Sequence, residues 1–178
     1  MNRRRLLQSM MLTAPSILLM AKPSLSIASI SETRALSFRH LHTNEKLSIE
    51  YFSDNHYQHE SLNRINYRLR DFRSSEVYPI DPKLFDLLYS IQLATGSKGH
   101  YEIISGYRSP KTNNMLRSKS NGVAKRSLHM QGKAIDVRLT DVSTDSVRQA
   151  AIALKAGGVG YYKKSNFVHL DTGRFRTW

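Results

Sequence analysis

The sequence contains no cysteine among its 178 residues, and this absence limits both the fold and the chemistry. No disulfide can support the structure, so its stability must come from a buried core, which a domain of about 150 residues can provide. No thiolate is available as a nucleophile or as a metal ligand. Any metal ion that binds must therefore be held by imidazole and carboxylate groups.

Long apolar runs are absent too. The best candidate, from Met10 to Met20, contains Pro15 and is shorter than the roughly 20 residues that span a bilayer. It follows the basic stretch from Arg3 to Arg5 and precedes Ala28, a small residue after which a signal peptidase can cut. We predict an export signal over residues 1–28, either twin-arginine or general secretory, and a mature domain over residues 29–178. An uncleaved anchor is the alternative.

Acidic residues are scarce, with 14 Asp and Glu against 27 Lys and Arg. Residues 29–178 keep 23 of the basic residues and all 14 acidic ones. Such a charge favours a polyanionic partner, which is nucleic acid, anionic membrane or carboxylate-rich cell wall, although a solvated basic surface without a partner is equally compatible. Export, and the lack of an aromatic stacking motif, argue against nucleic acid. No stable membrane span is predicted once the signal is removed.

The spacing of apolar residues predicts a domain of the α+β class. Alternation predicts strands, and recurrence every three or four residues predicts helices. The predicted strands cover residues 35–43, 47–52, 101–105, 134–139, 159–162 and 167–171. The predicted helices cover residues 61–72, 82–95 and 143–156, with a short helix near 113–116 and with Leu154 on the buried side of the last one. We expect one compact domain in which helices pack on a small, mostly antiparallel sheet.

A histidine and an aspartate stand seven positions apart across a glycine, at His129, Gly132 and Asp136. In a loop that turns at the glycine into a strand, the imidazole and the carboxylate can converge on one point, as a zinc ion requires. Alternation along the last predicted strand places His169 and Asp171 on one face. Two histidines and a carboxylate with one open position are typical of a catalytic zinc site. Hydrogen-bonded core histidines are the alternative at both positions.

Another histidine pair, His40 and His42, lies outside these motifs. Alternation places both on one face of a predicted strand, where they could bind a metal ion together. Nothing else in the sequence converges on them, so exposed or packing roles are our prediction for both.

Several segments resemble the D-alanyl-D-alanine-type zinc peptidases, and more closely their murein endopeptidase K group. The likeness runs from about Leu62 to Trp178, and its motifs occur in the order seen in those proteins. The segments that carry it are Arg70-Asp71, Pro79-Ile80-Asp81-Pro82, Ser105-Gly106-Tyr107-Arg108-Ser109, Ser127 to Asp136, Gly157-Gly158-Val159-Gly160-Tyr161-Tyr162 and Phe167 to Gly173.

The resemblance implies a compact α+β fold with one zinc ion per chain, held by His129, Asp136 and His169. It also implies hydrolysis of peptidoglycan stem-peptide bonds that involve D-alanine or diaminopimelate. The chemistry agrees with the residues themselves, because zinc lowers the pKa of bound water toward about 7 and polarises a scissile carbonyl.

The resemblance extends to the substrate. Arg108 matches an arginine that lines the substrate cleft, where its guanidinium would bind a stem carboxylate or the developing oxyanion. Ser127 and Tyr161 are further candidates for substrate contact. Both Tyr161 and Tyr162, beside the final hairpin, could line the cleft, and the alternative is that one of the two faces the core. The positions two and three residues before the last ligand hold no acid, so Asp171 is our candidate for the general base, or else for a partner that orients an imidazole. Glu102 is a weaker candidate for the base.

The leading hypothesis is a zinc endopeptidase that cuts wall cross-links in the periplasm or against the cell wall. A D,D- or L,D-carboxypeptidase on uncross-linked stems shares the chemistry and differs in how open the cleft is beyond the scissile bond. A non-catalytic wall-binding protein is the third hypothesis, since its basic charge would serve that role. The sequence does not indicate an oligomeric state.

Overall fold

The computed structural model describes residues 32–120 and 122–178, so the predicted export signal over residues 1–28 lies outside the described residues. Eight strands form within the described chain: β1 (Arg34–His40), β2 (Lys46–Ser53), β3 (His56–Tyr57), β4 (Tyr101–Ser105), β5 (Ala134–Leu139), β6 (Gly158–Tyr162), β7 (Phe167–Asp171) and β8 (Arg176–Thr177). They join one sheet in the order β3-β2-β1-β4-β5-β7-β6-β8. Neighbouring strands are antiparallel except for β1 with β4 and β6 with β8, which confirms the predicted mostly antiparallel sheet.

Four helices accompany the sheet: α1 (His59–Arg68), α2 (Pro82–Thr95), α3 (Pro110–Lys119) and α4 (Thr144–Leu154). Helix α2 has its predicted ends, because the Lys83 N–H donates to the Asp81 carboxylate (3.1 Å) and Gly96 takes a left-handed conformation. Helix α1 ends four residues before the predicted end, and α3 is longer than predicted. The prediction that Leu154 is buried is wrong, since it is 40% exposed. None of the described helices is long and apolar enough to cross a membrane.

The core lies between the helices and one face of the sheet. Alternation points Ile135 and Val137 of β5 to this face, where they lie opposite Leu170 and Val168 of β7. All four side chains are fully buried and join a cluster that includes Val147 of α4. Burial of each such aliphatic side chain contributes about 1.5–3 kcal/mol, so this layer fixes the register of the central strands.

The opposite face of the sheet carries polar residues in register. Asp136 on β5 lies opposite His169 on β7 and opposite Ser105 on β4, while Gly160 on β6 also lies opposite His169. Residues directly opposite each other in neighbouring strands point to the same side. The register therefore brings an aspartate and a histidine that are 33 positions apart in the sequence onto one surface.

A 3₁₀ turn at Leu128–Gln131 carries His129 to the same surface. The turn ends at Gly132, whose φ of 64° favours glycine, and an added Cβ there would collide with the Pro79 carbonyl. The Asp81 N–H donates to the Gly132 carbonyl (2.9 Å). This hydrogen bond joins the segment of residues 79–82 to the segment of residues 127–136, which carries His129.

Candidate metal centre

Three side-chain atoms converge on one point of the polar surface. The His129 Nε2 atom lies 3.2 Å from His169 Nδ1 and 3.3 Å from Asp136 Oδ1, and His169 Nδ1 lies 2.8 Å from that same carboxylate oxygen. His129 and Asp136 are buried, whereas His169 is 9% exposed. Among the described residues, this is the one group of three or more histidine and acidic side chains whose ligand atoms are close enough to hold a metal ion.

The outer nitrogen of each ring fixes which atom faces the centre. His129 Nδ1 lies 2.8 Å from the Gly106 carbonyl, which can only accept, so this nitrogen carries the proton. His169 Nε2 lies 3.1 Å from the Asp171 carboxylate, which makes it a donor in the same way. The inward atoms, His129 Nε2 and His169 Nδ1, then present lone pairs to the centre. With the Asp136 oxygen, three acceptors face one another, an arrangement that a cation must stabilise.

The pKa shifts within the cluster also indicate a site that favours positive charge. Burial alone would lower the pKa of His169, but hydrogen bonds to Asp136 and Asp171 outweigh it and raise the pKa to about 9. Burial alone would raise the pKa of Asp136, but the charge and hydrogen bonds of His129 and His169 hold it well below its usual range. The site therefore attracts a positive charge, which is a proton when no metal ion competes for the same lone pairs.

The donor set fits zinc. Two imidazoles and a carboxylate leave one position open, as in catalytic rather than structural zinc sites. Zinc–ligand bonds of about 2.0–2.1 Å in a tetrahedron place ligand atoms roughly 3.3 Å apart. The three separations here, 2.8, 3.2 and 3.3 Å, are compatible with that spacing after small side-chain movements.

The cluster lies at the base of a cavity of about 570 Å³. One wall is formed within residues 122–128, of which all but Lys125 line the cavity, and the other by Tyr162, Phe167 and Trp178. Asp136 is the one acidic residue among the described residues that line the cavity, and the histidines there are the two of the cluster. The described lining therefore offers no further carboxylate or imidazole to act as a general base.

Arg108 lies in the cavity wall, as the resemblance implied. Its Nη2 atom is 3.6 Å from Asp136 Oδ2 and donates to Ser105 Oγ (3.3 Å), and its backbone N–H donates to the His129 carbonyl (3.2 Å). Its Nε is buried and has no hydrogen-bond partner among the described residues. Burial lowers the pKa of Arg108 while Asp136 acts in the opposite direction. A guanidinium that lines the cavity beside the cluster can bind an anionic group.

Asp171 does not line the cavity. Its side chain is fully buried behind His169, where its carboxylate accepts hydrogen bonds from the Gly158 and Gly173 N–H groups (3.0 and 2.8 Å) and from Arg176 Nη2 (2.7 Å). Burial alone would raise its pKa, but these partners and His169 hold it well below its usual range. This placement keeps the Asp171 carboxylate out of the cavity and makes it the hydrogen-bond partner of the His169 ring, as in the alternative role of orienting an imidazole.

Of the three other candidate residues, one lines the cavity and two do not. Ser127 is buried and lines the cavity, in agreement with a substrate contact. Tyr161 does not line it: Tyr161 lies opposite Val168 on the core side of the sheet, with the Arg148 guanidinium 5.2 Å from its ring centroid. Glu102 is ion-paired with Arg138 (2.6 Å) outside the described cavity lining, so it is not a base for this site.

Of the two tyrosines that the sequence offers for the cleft, Tyr162 is the one that lines the cavity. It lies opposite Phe167 in the β6–β7 hairpin, and Phe167 shares a face with His169. A four-residue connection from Lys163 to Asn166 fixes this register. Had the two strands been aligned across that connection, Tyr162 rather than Tyr161 would have been placed beside the cluster.

An α+β sheet that gathers two histidines and an aspartate at the base of an open cavity defines a candidate metallohydrolase. The chain belongs to the family described as peptidoglycan L,D-endopeptidase MepK, whose family model matches residues 28–178. The protein of that name from Escherichia coli (strain K12) is 42% identical over 177 residues, which cover 99% of this chain and 97% of the relative. The probable one from Haemophilus influenzae is 44% identical over 155 residues, which cover 86% and 83%.

A solved structure is also similar at low identity. The Serratia marcescens L-Ala D-Glu endopeptidase ChiX covers 63% of this chain and 86% of its own, with 18% identity and a TM-score of 0.39.

Proposed function

We propose that this chain is a zinc-dependent peptidoglycan endopeptidase that hydrolyses the peptide cross-links of the cell wall. Membership of a family of L,D-endopeptidases supports the activity and the substrate. The observation that carries the metal is the convergence of three lone pairs from His129, Asp136 and His169, with the outer nitrogens of both rings already bonded. One zinc ion per chain satisfies this set.

The charge of the cavity favours a stem peptide. Arg108, Arg126 and Arg176 line it, and the described lining has no acid other than the ligand Asp136. Stem peptides carry free carboxylates near their amide bonds, and a positively charged cleft with low-dielectric walls concentrates such ligands. Arg108 is proposed to bind a stem carboxylate or the oxygen of the scissile amide from its place in the cavity wall.

Each residue of the site has a defined task in this proposal. A zinc ion bound at the site would acidify water and polarise the scissile carbonyl. The Gly106 carbonyl and the Asp171 carboxylate hold the two rings with their lone pairs inward. Ser127 contacts the substrate from the 122–128 wall. The cluster of His129, Asp136 and His169 favours a catalytic chain over the hypothesis that the fold has lost catalysis.

The site of action requires export. A wall substrate lies outside the cytoplasm, and the basic and apolar segment within residues 1–28 is proposed to direct the chain to the periplasm or the cell wall. The family match begins at residue 28, next to the proposed mature start at residue 29.

The test is to incubate the purified chain with sacculi and follow released fragments by mass spectrometry. One arm is untreated, a second contains a chelator, and a third has the chelator removed and zinc restored. We expect cross-linked dimers to become monomers in the first and third arms and to persist in the second. Loss of a terminal residue from monomers, with dimers intact, would instead identify a carboxypeptidase. Binding to sacculi without any new fragment would favour the non-catalytic hypothesis.

A further inference from the structure

The hydroxyl of Tyr162 is held in a defined place in the cavity. Its ring stacks on Phe167, with centroids 4.5 Å apart and planes 14° from parallel, and Trp178 Nε1 donates to its oxygen (3.2 Å). All three residues line the cavity. The phenol is also close enough to Arg108 to influence the pKa of that guanidinium, so both groups face the same space.

The direction of the hydrogen bond decides what the phenol can do next. An indole N–H is only a donor, so the Tyr162 oxygen must be the acceptor. The O–H proton of Tyr162 then has no acceptor among the described residues. Tyr162 is 38% exposed, which leaves this proton free to point into the cavity.

Trp178 is itself fixed beside the metal cluster. Its ring centroid lies 5.2 Å from that of His169, and its backbone N–H donates to the Val159 carbonyl (3.2 Å). The indole lies over Gly160, where an added Cβ would be 2.6 Å from the ring. The strand thus has a glycine where the indole needs room, and the indole in turn positions the Tyr162 hydroxyl.

We propose that the Tyr162 hydroxyl donates a hydrogen bond to the carbonyl oxygen of the scissile amide as that oxygen becomes anionic. Peptide hydrolysis places negative charge on this atom, and a preorganised donor there stabilises the transition state. Tyr162 is the one phenol among the described lining residues, and its O–H is more acidic than the Ser120 and Ser127 hydroxyls that also line the cavity. This inference rests on the proposed peptidase function and adds a catalytic residue to it.

The test is Tyr162→Phe, which keeps the stack on Phe167 and removes only the hydroxyl. We expect kcat on a cross-linked muropeptide to fall about 10- to 100-fold with KM within about threefold, because the bond forms only in the transition state. Affinity for a phosphinate isostere of the scissile bond should fall by a similar factor. Zinc content, measured by elemental analysis, should be unchanged.

Two further variants separate this role from packing. Tyr161→Phe removes a hydroxyl from the neighbouring tyrosine on the core side, and kcat should stay within about twofold of the wild type. Trp178→Phe keeps a ring but removes the N–H that positions Tyr162, and kcat should fall by an intermediate factor of about 3 to 10.

Wild-type kcat in Tyr162→Phe would overturn the inference and leave the proposed function standing. A rise in KM with kcat unchanged would also overturn it, since Tyr162 would then bind the ground state alone. A wild-type chain that is loaded with zinc and cleaves no muropeptide would overturn the proposed function, and the inference with it.

Discussion

The two histidine pairs of this molecule have similar spacing and different surroundings. The ring centroids of His40 and His42 are 5.8 Å apart, and those of His129 and His169 are 5.0 Å apart. In the first pair, His40 Nδ1 accepts a hydrogen bond from the His42 N–H (3.2 Å), and the His42 ring stacks on Phe72. In the second, both inner nitrogens face a shared carboxylate oxygen.

The difference shows that proximity of imidazoles does not make a metal site. His129 and His169 have partners on their outer nitrogens, and those partners turn the lone pairs inward. His40 points to the core face of the sheet, where its Nε2 is buried without a partner among the described residues. Burial, with the nearby positive charges of His42 and Arg70, lowers the pKa of His40 to about 4 against the opposing effect of Glu45. One pair is arranged to bind a cation and the other to remain neutral.

The largest effect is expected from a matched pair of ligand and non-ligand substitutions. His169→Ala removes one of the three proposed metal ligands, so bound zinc and hydrolysis of muropeptides should be lost, with activity reduced at least about 1,000-fold. His42→Ala removes a stacked ring that is not part of the described cavity lining, and it should leave zinc content and kcat within about twofold. Retention of full activity by His169→Ala would remove it from the ligand set, and loss of zinc from His42→Ala would abolish the contrast between the pairs.

A smaller effect is expected from substitution of Asp171, which bonds to the outer nitrogen of His169. Asp171→Asn keeps an acceptor for the Gly158 and Gly173 N–H groups but weakens the hydrogen bond that orients His169. Zinc affinity, measured by chelator competition, should fall about 10- to 100-fold.

The control for this substitution is Asp86→Asn. Asp86 accepts from Arg34 and Tyr51 (2.8 and 3.0 Å) on another part of the fold. It should lower stability without changing zinc affinity. Equal zinc affinity in Asp171→Asn and the wild type would show that Asp171 does not orient the ring.

The smallest effect on activity is expected at His40, where stability changes instead. Its folded pKa of about 4 lies below the ordinary 6.5, so the unfolded chain binds more protons between these values. Stability from this group is complete above pH 6.5 and is lost as the pH falls toward 4, by about 3 kcal/mol at most. Urea unfolding at pH 7 and pH 4 should show a smaller acid-induced loss in His40→Leu than in the wild type.

The exposed His59 supplies the matched control, as His59→Leu. This variant should follow the wild type at both pH values, and kcat at pH 7 should be unchanged in both variants. An equal acid-induced loss in His40→Leu and the wild type would contradict a neutral buried His40.

Local sequence signals were sufficient to predict the ends of an element when a capping residue or a glycine stands at each end. Helix α2 begins at Asp81 and ends at Gly96, as predicted, because a cap and a left-handed glycine act within a few residues. The end of α1 was mispredicted because a long-range bond intervenes. Asp71 leaves the helix path to accept from the Ser109 N–H (2.9 Å), which ties this segment to the loop that carries Arg108.

The sequence by itself determined the α+β class and the strands that carry Asp136 and His169, because these depend on periodicity. It also offered the candidate ligand triad, which spacing permits and which the resemblance to zinc peptidases singles out from core histidines. The tertiary structure decided which tyrosine faces the cavity and whether Asp171 acts as a base or as a partner of His169. Strand register selected Tyr162 over Tyr161. Asp171 is buried behind His169, where its carboxylate accepts hydrogen bonds from Arg176 and from two backbone N–H groups. Both outcomes depend on contacts between distant segments, and local sequence patterns do not encode which of these segments meet.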